Sequence, residues 1–187
     1  MKLGLLGGSF NPIHNAHLVI ATRVAEALRL DRVLFIPTAI SPLKRRDDLA
    51  PARHRWAMLK RALRGNPLFR ACDLEIRRGG VSYTVDTLRE IRKRTGADLY
   101  LIVGADALNL FPRWRQAEEV RKLATLVAAA RPGHRRRLRL PKRHIVDVPL
   151  LEISGTQIRD RVRKGLSVRY LIPESVERYI RQEGLYR

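Results

Sequence analysis

Short apolar runs alternate along the chain with longer segments in which apolar residues recur every three or four positions. The runs at 3–6, 33–36, 99–103, 125–129 and 145–148 read as strands buried on both faces, with a weaker strand near 69–73. The periodic segments 16–28, 52–63, 83–93, 116–123, 155–164 and 174–183 read as amphipathic helices. Pro37, Pro51, Pro112 and Pro173 fall at the edges of these elements, where a fixed φ and a missing amide proton do no harm. Strand and helix alternate throughout, which predicts an α/β fold, a doubly wound parallel sheet with helices on both faces. No internal repeat or linker breaks the pattern. Residues 1–187 therefore read as one domain, in which 153–187 forms a C-terminal helical portion.

A length of 187 residues and 45% hydrophobic content suit a folded domain rather than a disordered chain. No run reaches the roughly 18 apolar residues of a membrane span, and Met1-Lys2 leads straight into a strand rather than into a signal peptide. With a single cysteine, Cys72, the expected address is the cytoplasm, with no membrane partner. The formal charge of +20 invites a nucleic-acid reading. Most of that charge is spread along helix faces, as at Arg89, Arg92, Lys93 and Arg94. The run 131–143 differs, with seven basic residues and no acid. It reads as a solvated loop first, a lid over an anionic substrate second and an RNA contact last. Aromatics make up 6% of the chain and none falls in that run, which argues against a stacking platform for nucleic acid.

Candidate chemistry concentrates where the first strand turns into the first helix, through Gly-Gly-Ser-Phe-Asn-Pro-Ile-His-Asn-Ala-His-Leu at 7–18. Gly7 and Gly8 let backbone approach a ligand closely, and the amides and positive dipole end of the next helix favour an anion. His14 and His17, three apart, project from one face and can donate to phosphate oxygens. The spacing matches neither the dinucleotide fingerprint nor a Walker loop. A zinc site would want three or four protein ligands, and an ordinary glycine turn with incidental histidines is the plain alternative. The strand ends at Gly7, Pro37 with Lys44, Gly104-Ala105-Asp106 and Arg131 would all face one crevice in an open sheet.

The segment Gly7-Gly8-Ser9-Phe10-Asn11-Pro12 followed by His14-x-x-His17 resembles the N-terminal signature of the nucleotidyltransferase superfamily. About 140 residues later, Ile153-Ser154-Gly155-Thr156-Gln157-Ile158-Arg159 resembles the second motif of its adenylyltransferase branch. Ser82-Tyr83-Thr84-Val85-Asp86-Thr87-Leu88, Gly104-Ala105-Asp106, Trp114 and Ala130-Arg131-Pro132-Gly133 extend the resemblance to bacterial nicotinate-nucleotide adenylyltransferases over nearly the whole chain. Three positions depart from the pattern. Ala16 stands where glycine is usual, Leu43 where Pro-His-Lys is common, and Gly155 replaces a frequent second serine.

The resemblance implies a Rossmann-like nucleotidyltransferase fold and an enzyme that joins ATP and nicotinate mononucleotide into deamido-NAD and pyrophosphate, a step of NAD biosynthesis. Magnesium would accompany ATP, with no protein ligands of its own. His14, His17, Lys44 and Arg159 would carry catalysis. ATP would lie against Gly7, Gly8, Ser9, Phe10, Gly104, Asp106, Ser154 and Thr156 as well as the histidines and Arg159. Nicotinate mononucleotide would lie against Ser9, Phe10, Asn11, Lys44, Thr84, Trp114 and Arg131. Trp56 is assigned to packing and Asp86 to a helix surface or cap. The alternatives are a related adenylyltransferase acting on nicotinamide mononucleotide or phosphopantetheine, and a basic RNA-binding module. A homo-oligomer stays open.

Overall fold

Among the described residues, six strands form one parallel sheet: β1 (Lys2–Gly8), β2 (Arg32–Pro37), β3 (Phe69–Ala71), β4 (Asp98–Gly104), β5 (Thr125–Ala130) and β6 (Ile145–Asp147). The computed structural model describes residues 1–42, 49–130, 140–149 and 151–187, with Ala105, Asp106 and Arg143 described by their backbone alone. Strand order is β3-β2-β1-β4-β5-β6. Helices α1 (Asn15–Leu28), α2 (Ala52–Leu63), α3 (Leu74–Arg78), α4 (Thr84–Thr95), α5 (Ala105–Asn109), α6 (Ala117–Leu123), α7 (Gly155–Arg163) and α8 (Glu174–Gln182) complete the order of elements.

The period of two along the central strands divides the core into two layers. Leu3, Leu5, Ile36, Leu99, Leu101 and Val103 face the layer closed by Val85, Leu88 and Ile91 of α4 and Val120 of α6. Leu6, Val33, Phe35 and Ile102 face the opposite layer, with Val24 of α1, Met58 and Leu59 of α2, Ile158 of α7, and Val176 and Ile180 of α8. Strands covered on both faces read as unbroken apolar runs, which is why they were legible in the sequence. Gly4 is the exception that packing demands. A Cβ there would meet Leu30 Cδ1 at 2.8 Å and Val33 Cγ2 at 3.2 Å.

The expected elements all form, with ends shifted by one or two residues. Five-residue α3 and α5 were not anticipated, since neither is long enough to show a helical period. The strand expected over 69–73 ends at Ala71, although the Cys72 amide still donates to the Phe35 carbonyl at 2.9 Å. No described helix is long and apolar enough to cross a membrane. The fold positions its site by topology. Chain leaving β1 crosses to β2 on one side, whereas β4 pairs with β1 on the other, so a crevice opens beyond Gly8 and Gly104.

Candidate active site

Two cavities open at this crevice and meet at Ser9, His17 and Ser41. The smaller, about 260 Å³, lies between the loop after β1 and the start of α7, and His14, Ser154, Thr156 and Arg159 face it. The larger, about 650 Å³, extends over the ends of β1 and β4 and takes in Gly7, Gly8, Gly104, Thr84 and Trp114.

The histidines come as a pair because both sit in the first turn of α1. Their rings stack with centroids 3.7 Å apart, and Phe10 meets His17 edge-on at 5.1 Å. The His14 amide donates to His17 Nδ1 at 3.3 Å. That bond fixes the neutral ring in the tautomer that carries its proton on Nε2, leaving His17 a hydrogen-bond donor. At the other wall, the Ser154 hydroxyl caps α7 by accepting from the Gln157 amide at 3.1 Å. Arg159 is one turn further in. Its Nη1 donates to the Asn11 carbonyl at 2.9 Å and its Nη2 to Thr156 Oγ1 at 3.3 Å. Gly155 explains itself here, because a Cβ would come within 2.8 Å of the Asn11 carbonyl oxygen. The missing serine at this position gives that carbonyl room to reach Arg159.

The smaller chamber offers imidazole, hydroxyl and guanidinium donors, chemistry that suits phosphate oxygens, and it joins a larger chamber with an indole at its wall. The model of the cytidylyltransferase-like family matches residues 5–161. A relative from Salinibacter ruber named "Probable nicotinate-nucleotide adenylyltransferase" is 45% identical, covering all of this chain and 98% of its own. One of the same name from Roseiflexus is 45% identical over 99% of this chain and 98% of its own. The chain belongs to the nicotinate-nucleotide adenylyltransferase family. The nicotinic acid mononucleotide adenylyltransferase of Plasmodium falciparum, solved complexed with NaAD, shares this adenylyltransferase fold with a TM-score of 0.80 at 18% identity, over 99% of this chain and 97% of that one.

Within this family fold, the structure brings most of the anticipated residues together and shows the internal contacts of several. Gly7, Gly8, Ser9, His14, His17, Ser154, Thr156 and Arg159 line the crevice as expected, and so do Thr84 and Trp114. Gly104 lines the larger chamber, beside Thr84 and Trp114. Phe10, expected against both substrates, lines the smaller chamber but is only 1% exposed as a residue, and its ring packs on Phe35 and His17. Asn11, expected at nicotinate mononucleotide, lines the smaller chamber and also ties parts of the protein together. Its Oδ1 accepts from the Ala50 amide at 3.1 Å and from the Tyr186 hydroxyl at 2.8 Å. Burial pushes the Tyr186 phenol well above its ordinary pKa, which keeps that donor protonated. The start of α1 is also less open than expected, since the Asn15 amide donates to the Leu171 carbonyl at 2.9 Å and Asn15 Nδ2 to the Tyr170 carbonyl at 2.7 Å. Lys44, Leu43, Arg131 and the basic run as far as 139 lie outside the described residues, as does the Asp106 side chain.

Four residues escaped the sequence reading. Trp114 has neighbours Arg113 and Arg115 on the larger chamber, and the Arg115 guanidinium lies 4.5 Å from the Tyr83 ring centre. Arg55 lies beneath both chambers and is treated below. Glu75, 6% exposed, borders the larger chamber and accepts from Thr87 Oγ1 at 2.6 Å. A carboxyl in a five-residue helix among arginines, four residues before the Gly79-Gly80 pair, gave no periodic pattern to read.

Burial pushes the Glu75 carboxyl above its ordinary range, against the opposing pull of Thr87, Ser82 and Arg78. A carboxyl whose folded pKa is raised contributes stability below its unfolded pKa and loses that contribution as pH rises through the folded value. The wild-type melting temperature is therefore expected to fall, relative to Glu75→Gln, as pH is raised from 4.5, the unshifted value, toward neutrality. Thermal melts of both proteins across that window check it, and a difference that does not change with pH would contradict the burial of an ionisable group.

Proposed function

We propose that the protein transfers the adenylyl group of ATP to nicotinate mononucleotide, releasing pyrophosphate and deamido-NAD, with the triphosphate in the smaller chamber and the acceptor ring against Trp114. The observation that carries this reading is the meeting of the two chambers at His17. A triphosphate lying on the donors of one and a mononucleotide lying in the other would bring their phosphates together beside the His17 imidazole. Trp114 supports the acceptor assignment, because it lines the larger chamber beside Thr84. An indole offers a pyridine ring a stacking face.

The acceptor phosphate has a second pKa of about 6 and is largely dianionic near neutral pH, so it attacks without a general base. One of its oxygens forms a bond to the α-phosphorus of ATP, the bond from that phosphorus to the bridging oxygen breaks, and the electron pair leaves with pyrophosphate. The protein's work is positioning and charge stabilisation. His17 Nε2–H and His14 are assigned to the oxygens of the reacting phosphorus. Ser154, Thr156 and Arg159 are assigned to the departing pyrophosphate, near the N-terminus of α7. The donors of the smaller chamber suit phosphate oxygens, so magnesium is proposed to enter as part of the MgATP substrate, keeping its waters. When bound, it neutralises charge on the triphosphate. Lys44, Asp106 and Arg131 are proposed to add a cation, a ribose acceptor and a second cation at the rim. The free thiol of Cys72 fits the proposed cytoplasmic setting.

Pyrophosphate release from MgATP, with nicotinate mononucleotide, nicotinamide mononucleotide and phosphopantetheine offered separately, tests the assignment. The first acceptor is expected to give the highest kcat/KM. Preference for another would keep adenylyl transfer and change the acceptor, and silence with all three would overturn the reaction.

A further inference from the structure

Arg55 is an arginine buried where the amphipathic pattern of α2 places an apolar residue, on the same stripe as Met58, Leu59 and Leu63. It is 1% exposed. Its guanidinium spends its donors on main-chain carbonyls of two connections, the one after β1 and both ends of the one from β2 to α2. Nε donates to Ala50 at 3.0 Å, Nη1 to Ser9 at 2.9 Å and to Thr38 at 2.7 Å, and Nη2 to Ala39 at 3.4 Å. Ser9 follows β1 and lines both chambers, while Thr38 follows β2 and lines the larger one. Ala50 leads into α2, and its amide donates to Asn11 Oδ1.

We propose that Arg55 is a positioning residue for adenylyl transfer, a planar fork that sets the spacing of the loops after β1 and β2 and so the separation of the two substrates' phosphates. The proposal rests on the adenylyltransferase reading above. Peptide geometry gives the reason. Carbonyl and following amide point in opposite directions across a planar trans peptide. Turning the Ser9 carbonyl down onto Arg55 therefore turns the Phe10 amide away from α2. Turning the Thr38 carbonyl down likewise turns the Ala39 amide away, and that amide donates to Ser82 Oγ at 3.0 Å. The Ser82 amide in turn donates to the Ile40 carbonyl at 2.9 Å, which fastens the segment leading to Thr84. One guanidinium thus fixes the histidine loop directly and the acceptor loop through one further step. Five donors in a rigid plane are what this task needs, and a lysine ammonium, a single point of donors, cannot span the same four carbonyls.

The test uses the full chain and steady-state pyrophosphate release. Arg55→Lys is expected to lower kcat by about 10²-fold per folded molecule, the order of loss that a small misplacement of reacting groups produces. Met58→Ala, a neighbouring core truncation on the same helix, is the control for lost stability and should leave kcat within a few-fold of wild type. Ser82→Ala, which keeps Arg55 but cuts the second step, should raise the acceptor KM while leaving the ATP KM unchanged, and it serves where Arg55→Lys does not fold. Wild-type turnover with kcat retained in folded Arg55→Lys would overturn the positioning role, as would an equal loss in Met58→Ala, or a Ser82→Ala variant with both KM values unchanged. Absence of turnover in the wild type would instead overturn the reaction on which the proposal rests.

Discussion

His14→Ala and His17→Ala are each expected to lower kcat by about 10²–10³-fold, the loss that follows removal of one preorganised donor at a centre of developing charge. His17 carries the firmer argument. Its Nδ1 is occupied by the His14 amide, so Nε2–H is aimed by the protein before substrate arrives. His14 lies against it in a stacked pair, and each ring holds the other in place. Loss of either should therefore disturb both, and the double variant is expected to be little worse than the worse single one, since groups acting as a unit are not additive. Stability should change far less. The His17 substitution removes one bond at a helix start, worth about 1 kcal/mol, and His14 leaves a small gap at the cavity wall. Turnover per folded molecule, with folding followed by circular dichroism, checks both points. Unchanged kcat in folded variants would remove the pair from the chemistry.

The sheet was legible because each strand is covered on both faces and so reads as an apolar run, and the crevice followed from the order of strands and helices. The motif residues were legible as types. Glycines, paired histidines, a capping serine and an arginine one turn into a helix are local features with short spacing. Their division of labour was not legible, because it depends on contacts between distant parts of the chain. Tyr186 donates to Asn11 across 175 positions, and Arg159 to the Asn11 carbonyl across 148. No periodicity or spacing reports such pairs, so the internal bonds of Asn11 could not be read beside its place at the chamber. Arg55 was hidden for a related reason. A charged residue on an apolar stripe is a signal, but in a chain with 38 lysines and arginines one more on a helix reads as surface. What it bonds is main-chain carbonyl, which sequence does not mark.

Arg159→Ala is expected to lower kcat/KM for ATP by about 10²–10³-fold, with KM raised and kcat reduced together. Two effects combine. The guanidinium lines the smaller chamber beside Thr156, where it would meet the triphosphate and the charge that gathers on departing pyrophosphate. It also holds the Asn11 carbonyl, and with it the turn that leads to His14. Its removal takes away a hydrogen bond from a charged donor, a loss of about 1.5–3 kcal/mol in stability, so melting temperature should fall along with activity. Arg159→Lys separates the two effects. Lysine keeps the charge near the phosphates but lacks the fork that reaches Asn11 and Thr156 at once. ATP affinity should therefore recover in the lysine variant more fully than kcat, since binding needs the charge and turnover needs the loop held in place. Recovery of both to wild-type values would reduce Arg159 to a charge alone, and recovery of neither would make its contact with Asn11 the dominant contribution.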